Sequence, residues 1–194
     1  MKRVGVLSLQ GDFAAHAAAL KKAEAGVEPV LVREREQFAS IDGLVIPGGE
    51  STTMLKLLRY DGLFETLAEF CGRKPVFGTC AGAILLAERV LNPEQESLGL
   101  IDIDIERNAY GRQIHSHVSL LDAEPDFVRR TAPGRMEAVF IRAPKIRRVG
   151  GQANALARCA GDPVLVEQGN RLAATFHPEL TGDLRIHKLF LEKL

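Results

Sequence analysis

Cys80 stands in the part of the sequence that most clearly suggests catalysis. An apolar segment at residues 75–78 leads into Gly78-Thr79-Cys80-Ala81-Gly82, and helix-forming residues follow. This order of strand, Gly-x-Cys-x-Gly and helix is the pattern of a nucleophile elbow, with cysteine in place of serine. Small residues on either side let the chain turn sharply, and a helix N-terminus favours the reactive thiolate. The backbone N–H of Ala81 is then a donor for a developing oxyanion.

The alternative for Cys80 is a buried structural cysteine, because free cysteine is among the most frequently buried residue types. Cys71 and Cys159 lack the elbow context, and we assign both to structure. An odd total of three cysteines does not provide a disulfide framework. Reduced thiols, and therefore a cytoplasmic location, are expected.

A thiol nucleophile needs a base, and His177 is the best placed of the five histidines. It follows an apolar segment, and Pro178 favours extended geometry at the residue before it. Residues two apart in an extended chain point to the same side, so Glu179 can hold the imidazole of His177. Sites of parallel sheets form at the carboxyl ends of strands, where Cys80 and His177 both fall. We therefore predict a Cys80-His177-Glu179 triad, although His-Pro-Glu alone is usually a surface turn.

A second strand-to-glycine-to-helix junction occurs at Pro47-Gly48-Gly49-Glu50-Ser51. Adjacent glycines allow backbone conformations closed to other residues, so the N–H of Gly49 is a candidate second oxyanion donor. We expect Ser51 to cap the following helix, whose N-terminus favours a negatively charged group nearby. Phosphate binding is a rival interpretation, but the chain contains neither G-x-x-x-x-G-K-[ST] nor G-x-G-x-x-G. A simple tight turn is the other alternative.

These segments require a sheet that brings their ends together. Predicted strands and helices alternate through the first half of the chain, with strands at residues 3–9, 29–32, 43–46 and 75–78 and helices at 12–26, 51–60, 63–70 and 81–90. The alternation predicts an α/β fold with a mostly parallel sheet flanked by helices. Between residues 100 and 176, short strand candidates follow one another without a strong helix, and Gly169-Asn170 marks a hairpin turn. We expect an antiparallel extension there, closed by a helix at residues 184–194.

Size and charge restrict the classes of function. The 194 residues are 46% hydrophobic and 26% charged, which is typical of one globular domain spanning residues 1–194. Lys and Arg number 25, as do Asp and Glu, so the formal net charge is zero. This balance argues against broad electrostatic binding of nucleic acid or an anionic membrane. The sequence has no apolar run of about 18 residues that would span a membrane. No motif requires a metal or a bound cofactor.

The chain as a whole resembles the class I, or triad, glutamine amidotransferases, in which GGES, GTCAG and FHPEL segments occur in this order. Further segments make it similar, more specifically, to the glutaminase subunit of pyridoxal 5′-phosphate synthase. These are GVLSLQG at residues 5–11, PGGESTTM at 47–54, ERNAYGRQ at 106–113 and FIRAP at 140–144. The resemblance covers essentially the whole chain. It departs modestly at Ser8, where glycine is frequent, and at Thr175, where serine is frequent.

The resemblance implies that Cys80 attacks the side-chain amide of L-glutamine and that water hydrolyses the resulting glutamyl thioester to L-glutamate. His177 would transfer the protons and Glu179 would orient its ring. The positions that match the family's glutamine-binding residues are Gly49, Glu50, Ser51, Arg107, Ile141 and Arg142. Gly49 and Ala81 would hold the oxyanion, and Gln10 is a further candidate once a partner is bound. Without the resemblance, the two arginines would be taken as solvated or ion-paired side chains.

The resemblance also implies a partner that receives the ammonia: a separate (βα)₈-barrel synthase subunit, in a hetero-oligomeric complex for vitamin B6 biosynthesis. Such a barrel needs about 250 residues, so this chain is too short to contain it. Three alternatives are an amidotransferase subunit serving another synthase, such as one of histidine biosynthesis, a non-catalytic module that keeps the fold, and a cysteine peptidase or thiol hydrolase. Residues 145–160 match the family poorly and receive no site, and none of the strand candidates falls within them.

Overall fold

The computed structural model describes residues 1–109 and 116–194, so residues 110–113 of the ERNAYGRQ segment and His115 lie outside the described residues. Short 3₁₀ turns occur at Arg35–Ser40 and Pro178–Leu180. The strands and α-helices of the described ranges are, in chain order, β1 (Arg3–Leu7), α1 (Phe13–Ala23), β2 (Glu28–Val32), β3 (Gly43–Ile46), α2 (Ser51–Tyr60), α3 (Phe64–Arg73), β4 (Val76–Thr79), α4 (Ala81–Leu86), β5 (Ala87–Leu91), β6 (Ile101–Glu106), β7 (Ser116–Ala123), α5 (Pro125–Arg130), β8 (Met136–Ile141), β9 (Lys145–Val149), β10 (Asn154–Cys159), β11 (Asp162–Gln168), β12 (Arg171–Ala174) and α6 (Arg185–Leu191).

The central sheet joins a parallel half to an antiparallel half, in the order β2-β1-β3-β4-β12-β11-β10-β7-β8. The first five strands in this order, β2, β1, β3, β4 and β12, pair in parallel with their neighbours. The pairs β12-β11, β11-β10, β10-β7 and β7-β8 are antiparallel. This arrangement confirms the predicted α/β fold with an antiparallel extension, and β11 and β12 form the predicted hairpin. Because β12 also pairs with β4, Ala174 lies opposite Thr79. The residues that follow these two strands therefore emerge side by side.

The parallel strands bury side chains on both faces, which explains why their sequences are short apolar runs without alternation. All four residues of β3 and all four of β4 are buried. Leu44 of β3 belongs to the apolar cluster that includes Met54 of α2 and Leu67 of α3. Phe77 of β4 belongs to the cluster on the other face, with Phe190 of α6. Helices thus cover both faces of the sheet and hold the ends of β4 and β12 in fixed positions.

Three local expectations are wrong. The helix expected over residues 81–90 ends at Leu86, and its second half is β5, which pairs with β6 in a small sheet of order β5-β6-β9. The short helix α5 lies where we expected no strong helix, and residues 145–160, which received no elements, contain β9 and β10. None of the helices in the part of the chain that the structure describes has the length and apolar character needed to cross a membrane.

Candidate active site

Cys80 lies at the turn between β4 and α4, in a strained backbone conformation. Its φ of 48° and ψ of −103° belong to a region that side-chain-bearing residues rarely adopt. A Cβ atom on Gly78 would lie 2.6 Å from backbone atoms of Gly82, and one on Gly82 would lie 2.1 Å from the carbonyl oxygen of Ile46. Both glycines of the predicted elbow are therefore required for close backbone contact. Strain of this kind is typical of functional sites.

His177 and Glu179 follow β12, beside the Cys80 turn. The N–H of Cys80 donates to the carbonyl oxygen of Ala174 at 2.8 Å, which ties the two segments together. His177 Nδ1 lies 2.7 Å from Glu179 Oε1, and both side chains are buried. The expected extended chain is wrong at Glu179, because residues Pro178–Leu180 form a 3₁₀ turn. The turn, rather than strand alternation, brings the carboxylate to the imidazole.

The electrostatics of His177 favour its charged form. Burial alone lowers the pKa of His177, but its interactions with Cys80 and Glu179 outweigh burial and raise the pKa to about 10. Gly48 lies against the same two groups: a Cβ atom there would be 2.4 Å from Cε1 of His177 and 3.2 Å from Cβ of Cys80. The thiol, the imidazole and the carboxylate thus follow one another in space, and Gly48 leaves room for the ring.

A cavity of about 180 Å³ opens in front of Cys80 and His177. It is smaller than the roughly 300–1,000 Å³ of drug-sized pockets and therefore suits a small metabolite. Its lining includes all six positions expected to bind glutamine, Gly49, Glu50, Ser51, Arg107, Ile141 and Arg142. Ile84, Asn108 and Pro144 also line it and were not predicted, although Asn108 and Pro144 lie within the ERNAYGRQ and FIRAP segments.

Glu50 organises one wall of this cavity. It caps α2 in place of the expected Ser51, accepting hydrogen bonds from the N–H groups of Thr52 at 3.0 Å and Thr53 at 2.7 Å. Burial raises the pKa of Glu50, but the hydrogen bonds from Thr53 and Thr52 outweigh it and lower the pKa to about 2. Ser51 instead donates its hydroxyl to Gln95 Oε1 at 2.9 Å. The longer carboxylate reaches the free N–H groups of the helix, so Glu50 is a fixed anion beside the cavity.

Two arginines place positive charge at the same cavity. Arg107 Nη2 lies 2.5 Å from the Thr52 hydroxyl oxygen and 3.4 Å from Glu50 Oε1, and its side chain is largely buried. Arg142 directly follows β8 and has a φ of 45°, in the left-handed region. Cys80 and Arg142 are thus two strained residues that line one cavity. The cavity is therefore lined by a carboxylate and by two guanidinium groups.

The two remaining predicted residues, Ala81 and Gln10, adjoin residues that line the cavity. Ala81 is the first residue of α4, so its N–H has no partner within the helix. The Gln10 side chain packs over Gly49, whose φ is 144°, donates to the Glu50 carbonyl oxygen at 2.5 Å, and accepts from the Glu50 N–H at 3.4 Å. Gln10 therefore bonds both backbone polar groups of Glu50 and holds the backbone on either side of that residue in place.

The other two cysteines lie away from this site. Cys71 is buried in α3, and burial raises the pKa of its thiol to about 12. Cys159 ends β10. Within residues 1–109 and 116–194, no group of three or more His, Cys, Asp or Glu side chains is arranged to hold a metal ion.

Comparisons with known proteins give the family and the fold of the chain. Residues 6–194 match the model of the SNO glutamine amidotransferase family. The chain is 66% identical, over the full length of both chains, to a protein of Solibacter usitatus named pyridoxal 5′-phosphate synthase subunit PdxT. It is 55% identical to a protein of the same name from Koribacter versatilis, covering 98% of this chain and 94% of that one.

A solved structure described as a glutamine amidotransferase superposes with a TM-score of 0.86 at 46% identity, covering 98% of this chain and 97% of the other. The family match covers nearly the whole chain, and the structural match covers the same extent. The chain therefore belongs to the SNO glutamine amidotransferase family, and it is an enzyme that acts on the side-chain amide of glutamine.

Proposed function

We propose that this chain is the glutaminase subunit of a pyridoxal 5′-phosphate synthase and that residues 1–194 form its single glutamine amidotransferase domain. The observation that carries the proposal is a cavity lined by Cys80, by His177, which is paired with Glu179, and by all six expected glutamine-binding positions. Relatives that share 55–66% of the sequence over nearly their whole length bear the corresponding subunit name. From the three free cysteines, we infer that this chain works in the cytoplasm.

The first half of the proposed reaction releases ammonia. The Cys80 thiolate attacks the side-chain carbonyl carbon of glutamine, and the carbonyl oxygen becomes an oxyanion. The N–H groups of Gly49 and Ala81 hold that oxyanion, because such preorganised donors act where charge develops. His177, having taken the thiol proton, gives a proton to the departing nitrogen. The C–N bond breaks, and a glutamyl thioester on Cys80 remains.

The second half regenerates the enzyme. His177, now neutral, removes a proton from a water molecule that attacks the thioester carbonyl carbon. The second oxyanion collapses, the C–S bond breaks, and glutamate leaves while Cys80 and His177 recover their starting state. Glu179 accepts the N–H of His177 throughout, so it fixes the ring and stabilises its charged form. Nδ1 faces Glu179, which leaves Nε2 for the proton transfers.

The charges around the cavity suit a free amino acid. Glutamine carries an α-carboxylate and an α-ammonium group in addition to its amide. Arg107 and Arg142 offer cations to the carboxylate, and Glu50 offers an anion to the ammonium. A peptide bond would place neither charge there. This complementarity favours a glutaminase over the peptidase alternative.

We further propose that the ammonia passes to a separate (βα)₈-barrel synthase subunit. The decisive assay measures ammonia release from L-glutamine by the chain alone and with that subunit. Release that needs Cys80 and rises when the synthase subunit is added is the expected result, accompanied by glutamine-dependent formation of pyridoxal 5′-phosphate. Ammonia release that persists in Cys80→Ala would contradict the proposal. Coupling to a different synthase would assign the chain to another amidotransferase.

A further inference from the structure

A row of buried polar side chains, Thr79, His16 and His187, lies behind Glu179, on the side away from the cavity. His16 of α1 and His187 of α6 are fully buried, as is Thr79 at the end of β4. His16 Nε2 lies 3.2 Å from Glu179 Oε2 and 3.1 Å from the hydroxyl oxygen of Thr79. Its other ring nitrogen, Nδ1, lies 3.2 Å from Nε2 of His187. The mechanism above uses none of these three residues.

The second carboxylate oxygen of Glu179 depends on this row of side chains for a compensating polar group. Its carboxylate is wholly buried, and Oε1 is occupied by His177. Oε2 has no aligned hydrogen bond within the described residues, and the N–H direction of His16 points more directly to Thr79. The imidazole of His16 nevertheless lies beside Oε2, at 3.2 Å, and can compensate its charge. Burying a carboxylate oxygen is costly unless such a group faces it.

The contacts determine which nitrogens carry protons. Burial, together with nearby His187 and His177, holds the pKa of His16 well below its usual value, and burial lowers the pKa of His187 to about 4 although Asp183 opposes it. Both rings are therefore neutral near pH 7, with one N–H each. If His187 donates from Nε2 to His16 Nδ1, the proton of His16 is on Nε2 and faces Glu179 and Thr79.

The opposite assignment, with the proton of His16 on Nδ1, is unfavourable both at His187 and at Glu179. It would put the proton of His187 on Nδ1, which is buried without a hydrogen-bond partner in the described part of the chain. It would also direct a lone pair of His16 at Oε2 of Glu179. An unsatisfied buried donor and a repulsive contact with a carboxylate both cost free energy. The hydrogen-bond pattern therefore assigns the Nε2–H form to His16.

We propose that His16 is a positioning residue for the glutaminase reaction, in which its Nε2–H attracts Oε2 of Glu179 and keeps Oε1 turned toward His177. This inference rests on the proposed function. His16 touches neither the cavity nor the reacting atoms, so it acts only through Glu179. His187 keeps the proton of His16 on the nitrogen that faces the carboxylate.

A double-mutant cycle between His16 and Glu179 tests this role, using the complex with the synthase subunit and L-glutamine as substrate. His16→Leu removes the donor and keeps apolar bulk. We expect kcat to fall about tenfold or more in the wild-type background, with KM within about twofold, because small displacements of catalytic groups are expensive. In the Glu179→Gln background the same change should cost less than about twofold. Equal losses in both backgrounds, or no loss in the wild-type background, would overturn the proposal.

His16→Gln is the matched variant, since its amide N–H can approach the position of Nε2. It should recover most of the kcat that His16→Leu loses. Equal impairment of the two folded variants would overturn the proposal. If His16→Leu does not fold, nitrogen-15 NMR of the histidines in the wild-type chain decides the point. We expect a neutral Nε2–H form for His16 and a changed signal in Glu179→Gln, whereas an Nδ1–H form would contradict the assignment.

Failure of this inference is distinguishable from failure of the proposed function. Full glutaminase activity in Cys80→Ala would contradict the proposed triad. If activity depends on Cys80 and Glu179 but the effects of the His16 and Glu179 substitutions are additive, only the proposed role of His16 is overturned.

Discussion

Gly48→Ala introduces one methyl group against the proposed catalytic base. The new Cβ atom would lie 2.4 Å from Cε1 of His177, whereas carbon atoms pack best at about 3.5–4.0 Å. The ring must therefore move by roughly 1 Å. A displacement of about 1 Å can cost on the order of 100-fold in rate, or about 2.7 kcal/mol of barrier. We expect this loss in kcat/KM for ammonia release in the complex with the synthase subunit.

Gly72→Ala is the matched control for this substitution. Gly72 lies in α3, and a Cβ atom there meets nothing within 4 Å. Activity should be unchanged, and the free energy of unfolding should rise by about 0.5–1 kcal/mol, because alanine is the better helix former. Gly48→Ala should also lower the free energy of unfolding by about 1–3 kcal/mol, because the crowded His177 ring is buried and hydrogen-bonded, so activity is compared at a temperature where both variants are folded. Wild-type activity in Gly48→Ala would refute the placement of the His177 ring over Gly48.

Three further predictions concern other parts of the site. Cys80→Ala should abolish ammonia release while thermal unfolding and binding of the synthase subunit stay intact; loss of folding would instead indicate a packing role. Arg107→Gln should raise KM for glutamine about tenfold or more with kcat little changed, because charge-assisted hydrogen bonds contribute about 1.5–3 kcal/mol; an unchanged KM would restrict Arg107 to its contacts with Glu50 and Thr52. Since the pKa of His187 falls from 6.5 unfolded to about 4 folded, its contribution to stability is present above pH 6.5 and is lost as pH falls toward 4. His187→Leu should therefore flatten the pH dependence of the unfolding free energy in that window by up to about 1.4 kcal/mol per pH unit, as measured by denaturant titration; an unchanged slope would mean that the folded chain protonates His187 as readily as the unfolded chain does.

The sequence was sufficient for the parallel half of the fold because its strands are doubly buried and its turns are marked by glycine. The run at residues 81–91 was not, since an apolar sequence such as AILLAERVL fits a helix and a buried strand equally well. Residues from Ala87 onward form a strand because they pair with β6, where Ala87 lies opposite Ile101. Such a pairing between separate segments cannot be inferred from the local sequence. Strand β9 was missed because Ile146 is its only buried residue.

The site was predictable to the extent that short motifs carry it. The elbow around Cys80 and the His177-Pro178-Glu179 segment follow from local chemistry, while the glutamine-binding positions came only from resemblance to a family. The cap of α2 was misassigned because Ser is the more common cap, and Glu50 reaches the same N–H groups with a longer side chain. His16 was missed because it stands in an alanine-rich helix with no motif, and its partners come from distant parts of the chain, namely β4, α6 and the Pro178–Leu180 turn.

The central claim is that the Cys80 sulfur, served by His177, is the nucleophile that attacks glutamine. The most direct measurement is covalent labelling of the complex with an electrophilic glutamine analogue, followed by digestion and mass spectrometry. We predict one label per chain, on Cys80, that glutamine competes away and that forms more slowly in His177→Asn. A label on Cys71 or Cys159, or none with the synthase subunit bound, would contradict the account.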